Sequence, residues 1–472
     1  MVVGDVSTHT ELLVIGAGPG GYVAAIRGAQ LGMEVTLVER EAVGGTCLNH
    51  GCIPSKALIT ASDRAHHARS SEAMGIEGEI SVAFDELIGW KDSVVDQLTG
   101  GVELLCEQAG ITLMEGRAVF AGESSVRIVH EGSGEGAETV EFEHAIIATG
   151  SSPVELPDLP FEEERVLDSR QALALDTIPD RLLVVGAGYI GMELATAFEK
   201  LGADVTVVEM LEKPLPRYDD KITRTVHERA ESLGVDFKFG YRGTDYAADE
   251  DELTVTIESE GGEAESLSAD KALVAVGREP ATASVEPEAA GIDLDDEGFI
   301  PTDGFGQTEV DSIYAIGDVA GEPLLAHQAM YEGQVVAEVI DGEPAVLDAR
   351  AVPAVVFTDP EIATVGMTES EATAAGFTPL VGDASLRSIG RALTLDDTDG
   401  FVRIIADAET EIVLGAQLVA PEASELVGEL GLAVEVSATL TDVAATIHTH
   451  PTLSEAITEA AEDALERAIH AA

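Results

Sequence analysis

Twice along this chain a short apolar strand runs into a glycine-rich turn, a helix, and a second strand that ends in glutamate. The first copy, ELLVIGAGPGGYVAAIRGAQLGMEVTLVE, starts at Glu11, and the second, RLLVVGAGYIGMELATAFEKLGADVTVVE, starts at Arg181; they align without a gap at an offset of 170 residues. The pattern G-x-G-x-x-G falls on Gly16, Gly18 and Gly21, then on Gly186, Gly188 and Gly191, and the closing acids are Glu39 and Glu209. One glycine makes the tight turn, one lets a pyrophosphate approach the backbone, and one lets helix and strand pack closely. The helix start offers unpaired N–H groups to phosphate charge, and an acid about 20 residues on accepts from a ribose hydroxyl. A single copy could be no more than a tight strand–helix turn. Two complete copies predict an α/β chain with two Rossmann-like dinucleotide-binding domains.

Glu209 would set its charge against a 2′-phosphate, so the second cradle is read as an NAD site, although Lys213 and Arg217 stand nearby. The first cradle takes the other dinucleotide, and a cysteine pair just downstream points to FAD. Two further strand ends fit a flavin domain made of separated segments: EHAIIATGSSP, with Thr149 and Gly150, and SIYAIGDVAGEPLLAHQA, with Asp318. LVAVGREP, which contains Gly277, marks the return crossing on the nicotinamide side. The expected organisation is a flavin segment over 1–150, an NAD-binding domain over 151–275, a second flavin segment over 276–347, and a C-terminal α+β domain over 348–472. That last region alternates strand-like runs with helical patterns. In its final segment, IHTHPTLSEAITEAAEDALERAIHAA, Pro451 is expected at a helix start with His450 just before it.

Composition narrows the partners. The 472 residues suffice for two to four domains. Eighty-eight acids against 26 bases give a net charge of −62, and only seven of the bases are lysine. Such a charge repels phosphate backbones and anionic lipid surfaces, so neither nucleic acid nor membrane is an expected partner. The N-terminus lacks a signal-peptide pattern, and no run of about 18 apolar residues occurs. A cytoplasmic protein is expected. Its acids are dispersed rather than gathered in a tail. At ~1 M salt the Debye length shrinks to about 3 Å and their mutual repulsion is screened, which suits a high-salt cytoplasm.

The cysteines decide the chemistry. There are three, and Cys106 lies in a helical pattern where a small buried hydrophobe is expected. Cys47 and Cys52 stand in GGTCLNHGCIPSK, eight residues after Glu39. A zinc clasp would want a second ligand pair, so no metal site is expected. A structural staple across so short a loop would restrain the unfolded chain little. A redox pair fits better. A regular helix would separate the two positions by about 7.5 Å along its axis, so the segment is expected to be a loop or distorted turn leading into a helix. Cys52 would then lie near that helix's N-terminus, where the dipole favours thiolate.

Taken together, GGTCLNHGCIPSK, the two cradles, the Ala-Thr-Gly and Gly-Asp strand ends, and HTHPTLSE resemble the pyridine nucleotide–disulfide oxidoreductases, over essentially the whole chain. The resemblance is closest to the branch that oxidises dihydrolipoyl groups. It implies an NAD-dependent flavoprotein that works as a homodimer on a lipoyl-bearing carrier protein, with the C-terminal domain forming the dimer interface and completing the partner's active site. By motif, Cys47 would exchange with the substrate dithiol and Cys52 would face the flavin as the charge-transfer thiolate. His450 would be the acid–base, oriented by Glu455, and Lys56 would sit at the flavin's reactive edge with Glu193 as its partner. His448 is read as a cap or surface residue, and His50, a departure from the family pattern, as tolerated. The runner-up is another NAD(P)-linked flavin disulfide reductase acting on a small disulfide or dithiol. A non-catalytic flavoprotein assembly subunit is disfavoured, because both redox cysteines and the His–Glu pair are present.

Overall fold

The first glycine-rich copy folds as strand Ser7–Ile15, helix Pro19–Leu31 and strand Val35–Glu39. The computed structural model describes residues 7–130, 137–249 and 252–470. The chain divides into two bodies, Met1–Ile178 with Val274–Asp348 and Pro179–Leu273 with Ala349–Ala472.

In the first body, strands Thr112–Glu115, Val35–Glu39, Ser7–Ile15 and Ala137–Ile147 run parallel in that order, and Ile313–Ala315 adds a further parallel strand against Ala137–Ile147. Strands Ser125–Val129 and Arg117–Gly122 continue the sheet antiparallel. Both faces are covered, as parallel sheets require. Leu12 and Val14 join one apolar cluster with Ala24 and Ala25 of the cradle helix, while Leu13 and Ile15 join another with Ile128 and Phe142. This alternation follows from the period of two along a strand. Helix Ala326–Asp341 packs closely on the cradle helix: a Cβ added at Gly333 would lie 2.5 Å from the Gly20 carbonyl oxygen. The strand of EHAIIATG stops at Ile147 rather than running to Gly150, where φ is +71° and the backbone turns.

In the second body the other glycine-rich copy forms strand Arg181–Val185, helix Tyr189–Leu201 and strand Asp204–Glu209, with Asp236–Phe239 parallel beside it. The C-terminal region builds an antiparallel sheet in the order Ala354–Val356, Glu361–Gly366, Val413–Ala420, Phe401–Asp407, Pro379–Ser385. Helices Ala423–Glu435 and Glu455–Ala464 share its core through Val427, Leu430, Ile457 and Ala460. The α+β expectation for this region therefore holds. The expected helix start at Pro451 does not: the last long helix begins at Glu455, because the Glu455 side chain folds back onto the Thr452 N–H (2.9 Å) and caps the turn before it. No described helix is long and apolar enough to cross a membrane.

Candidate active site

Both cradles are built to the same plan. At the first, a Cβ on Gly21 would lie 1.8 Å from the Gly16 carbonyl oxygen; at the second, a Cβ on Gly191 would lie 2.0 Å from that of Gly186. Only glycine lets helix and turn approach so closely. Glu39 accepts from the Ala17 N–H (2.7 Å) and the Glu41 N–H (2.9 Å). Glu209 accepts from the Ala187 N–H (2.8 Å) and the Leu211 N–H (2.9 Å), the same positions 170 residues on. Each carboxylate is thus fixed by backbone at the end of its strand, with lone pairs left for ribose hydroxyls. A Cβ built on Gly18 would meet nothing within 4 Å, which leaves its backbone open to a phosphate. Beside Glu209, Lys213 is engaged elsewhere: its Nζ bonds Asp220 (2.6 Å) and the Tyr218 carbonyl (3.0 Å). That removes one of the cations that could have countered a 2′-phosphate.

The cysteine stretch is tied to the first cradle by backbone. The Gly44 N–H donates to the Ala17 carbonyl (2.8 Å), and a Cβ on Gly45 would lie 2.6 Å from the Gly18 Cα. The segment is not the loop expected. Cys47 lies in a short helix, Gly45–His50, and Cys52 opens the long helix Cys52–Ser70. The break falls at Gly51 (φ −139°, ψ −108°), and it is this interruption that brings the two sulfurs together where a continuous helix would not. Cys47 is half-buried and packs with Tyr22 and Ile53 against the core, whereas Cys52 is exposed and at the helix N-terminus. Exposure alone therefore does not order the pair as outward Cys47 and inward Cys52. The Cys47 thiol is pushed up strongly by its hydrogen bond to Cys52, by burial and by the Cys52 charge, and the Lys56 ammonium opposes this only in part.

His50 is half-buried, and burial together with the Arg170 charge lowers its pKa. It is not among the groups that shift the Cys47 thiol. Cys106 is buried in the core, as its helical pattern predicted.

Around the remaining flavin-side positions, the Thr149 hydroxyl is buried with no protein partner. In front of Gly150 there is open space. An orphaned hydroxyl beside a glycine opening is the kind of feature a bound cofactor satisfies, so the first cradle fits a dinucleotide such as FAD. Asp318 sits on a short turn, Gly317–Val319, after strand Ile313–Ala315. Two residues not foreseen from the sequence hold it. Ser151 donates to Asp318 (2.5 Å), and Arg278 donates both to the Ser151 Oγ (2.8 Å) and to the Ser151 carbonyl (2.7 Å). Strand Ser151–Pro153 pairs antiparallel with Arg278–Pro280, and the Val154 N–H bonds the Gly277 carbonyl (3.1 Å). Gly277 therefore belongs to a ribbon within the first body. The only sequence hint for Ser151 and Arg278 is that each directly follows a marked glycine.

In the second body, Glu193 is buried on the cradle helix and accepts from the Phe357 N–H (2.9 Å). Lys56 lies in the first body, on the helix opened by Cys52. His450 is well exposed, with 78% of its side chain open, and its Nδ1 bonds Glu455 Oε1 at 2.8 Å. Burial pushes the Glu455 carboxyl up, but the hydrogen bonds from His450 and Thr452 and the nearby histidine charges outweigh it and hold the group below its ordinary range. An ionised carboxylate on one ring nitrogen leaves the other free to exchange protons with a substrate. His448 is not the cap or surface residue expected. Its side chain is 8% exposed and bonded to Glu429 (2.9 and 3.0 Å) and Thr458 (2.7 Å), contacts to distant residues that the local sequence does not signal.

Comparison with known proteins agrees with this layout. Residues 10–333 match the family described as pyridine nucleotide-disulphide oxidoreductase, and residues 352–461 match its dimerisation domain. A dihydrolipoyl dehydrogenase of the haloarchaeon Halobacterium salinarum is 58% identical over 470 residues, covering 100% of this chain and 99% of that protein. One from Geobacillus stearothermophilus is 46% identical with 100% and 99% coverage. Among solved structures, LpdA from Mycobacterium tuberculosis superposes with a TM-score of 0.89 at 30% identity, covering 96% of this chain and 99% of that one. The chain belongs to the pyridine nucleotide–disulfide oxidoreductase family.

Proposed function

We propose that this protein is an NAD-dependent dihydrolipoyl dehydrogenase that acts in the cytoplasm, as a homodimer, on a lipoyl group carried by a partner protein. The single observation that carries the reading is a Cys47–Cys52 pair fastened by backbone to the first cradle, in a chain 58% identical end to end to a haloarchaeal protein of that name. The functional domains would be the flavin-binding segments 1–150 and 276–347, the NAD-binding domain 151–275 and the dimerisation domain 348–472, with the ribbon of Ser151–Pro153 and Arg278–Pro280 near the crossings.

In this reading Gly16, Gly18, Gly21, Glu39, Thr149, Gly150 and Asp318 hold FAD, with Lys56 at its reactive edge, and Glu193 lies on the helix of the nicotinamide cradle. Gly186, Gly188, Gly191 and Glu209 hold NAD. FAD, when bound, supplies the two-electron relay between the cysteine pair and NAD. The chain's own residues handle the thiols. His450, contributed across the dimer and oriented by Glu455, takes the proton from one thiol of the dihydrolipoyl group. The resulting thiolate attacks Cys47 of the Cys47–Cys52 disulfide, forming a mixed disulfide and releasing Cys52 as thiolate. The second substrate thiol, deprotonated in turn, attacks the substrate sulfur and displaces Cys47. The lipoyl disulfide leaves, and the protein holds a reduced pair whose proton sits on Cys47 and whose charge sits on Cys52. The raised Cys47 thiol supports that final distribution.

The test is steady-state NAD reduction by dihydrolipoamide at molar salt, set beside NADPH oxidation by glutathione disulfide. Turnover of the first pair and not of the second is expected. The reverse preference would replace the assignment with a reductase of a small disulfide.

A further inference from the structure

The loop that presents His450 is held inward at two described positions, Leu453 in the apolar core and the polar side chain of His448. Residues 446–454 form neither helix nor strand, and they connect helix Leu440–Ala445 to helix Glu455–Ala464. Ile447 is 96% exposed, and the His450 side chain 78%, yet the side chain of His448 between them is 8% exposed. Both of its ring nitrogens are engaged. Nε2 meets both oxygens of Glu429 on helix Ala423–Glu435, and Nδ1 meets the Thr458 hydroxyl (2.7 Å) and the Thr446 carbonyl (3.1 Å). Thr458 follows Glu455 by three residues on one helix, so the two side chains share a face. The same helix therefore steadies both imidazoles, His450 through Glu455 and His448 through Thr458.

We propose that His448 is a positioning residue: clamped by Glu429 and Thr458, it fixes the loop on which His450 meets the substrate thiols. With both nitrogens occupied it has no site left for proton exchange with a substrate. Its effect passes through the aim of His450, where a displacement of about 1 Å can cost about 100-fold in rate. The proposal rests on His450 serving as the thiol base.

The experiment compares His448→Ala, His448→Gln and His448→Asn in the full-length FAD-loaded protein at molar salt. In His448→Ala, kcat for dihydrolipoamide should fall roughly 10- to 100-fold with KM for NAD unchanged. NADH oxidation by ferricyanide, which needs no thiol base, should stay at the wild-type rate. A glutamine amide reaches the place of Nε2 and can still donate to Glu429, whereas asparagine falls short. His448→Gln should therefore recover most of the activity and His448→Asn should not. Wild-type turnover in His448→Ala, equal losses in both assays, or equal behaviour of the Gln and Asn variants would overturn the proposal. Hydrogen exchange over residues 446–454 gives a readout independent of substrate. Faster exchange in His448→Ala is expected, and unchanged protection refutes the anchor. If the wild type fails to oxidise dihydrolipoamide, the substrate assignment falls, and the exchange result still decides whether His448 holds the loop.

Discussion

Replacing Asp359 with asparagine should destabilise the second body by about 3 kcal/mol, the scale seen when one partner of a buried ion pair is removed. Asp359 lies between strands Ala354–Val356 and Glu361–Gly366, where its Oδ2 meets Lys200 Nζ at 2.7 Å and Arg229 Nη2 at 3.1 Å. Lys200 closes the second cradle helix with 2% of its side chain exposed, and Arg229 lies on helix Asp220–Leu233. The triad thus fastens the nucleotide-binding half of this body to its antiparallel sheet. Burial alone would push the Asp359 carboxyl up, but the Lys200 and Arg229 charges and hydrogen bonds carry it down from 3.8 to about 2. That drop corresponds to about 2 kcal/mol of stability. Because the folded pKa lies below the unfolded one, the contribution is complete above about pH 4 and fades as the pH falls toward 2. The asparagine amide of the variant has no proton to gain, so the gap between wild type and Asp359→Asn should narrow over that window. Screening should matter little, because the pair is buried and in direct contact. The assay is urea unfolding at 1 and 3 M KCl, read by hydrogen exchange in peptides from 179–273 and 349–472. A cost below about 1 kcal/mol, or one abolished by the higher salt, would show that these charges behave as surface pairs.

Cys47→Ser and Cys52→Ser should each abolish dihydrolipoamide oxidation while leaving flavin absorbance in the purified protein; full activity in either would remove the cysteine pair from the mechanism. Gly191→Ala forces a Cβ to 2.0 Å from the Gly186 carbonyl oxygen, so KM for NAD should rise by at least ~10-fold with flavin still bound, as titration of NAD would reveal. Glu209→Ala removes the carboxylate that would face a 2′-phosphate, and the ratio of kcat/KM for NADP over NAD should rise about tenfold or more; an unchanged ratio would mean that other groups set the preference.

The two cradles were fully legible in the sequence because their physics is local. Strand, turn, helix and terminal acid lie within 29 residues, and the close helix–turn approach falls inside that span, Gly21 against Gly16, although Gly16 itself lies against Ala148 from a distant strand end. The His450–Glu455 pair, five residues apart, came from the family resemblance of HTHPTLSE, and the structure joins the two side chains at 2.8 Å. The shape of the cysteine stretch was less so. Spacing required a departure from regular helix, but only the folded backbone shows two helices interrupted at Gly51. Pro451 looked like a helix start, and the turn made by Glu455 on Thr452 moved that start onward.

What only the tertiary structure decided are the contacts between distant positions. Ser151 reaches Asp318 across 167 residues of chain, and Arg278 reaches Ser151 across 127. His448, indistinguishable in sequence from a solvent-facing histidine, is buried because Glu429 approaches from another helix. Residue type and short spacing determine which backbone turns and which cofactor cradles can form. Which of two neighbouring histidines points outward and which is clamped depends on desolvation and on partners that only folding brings within hydrogen-bond reach.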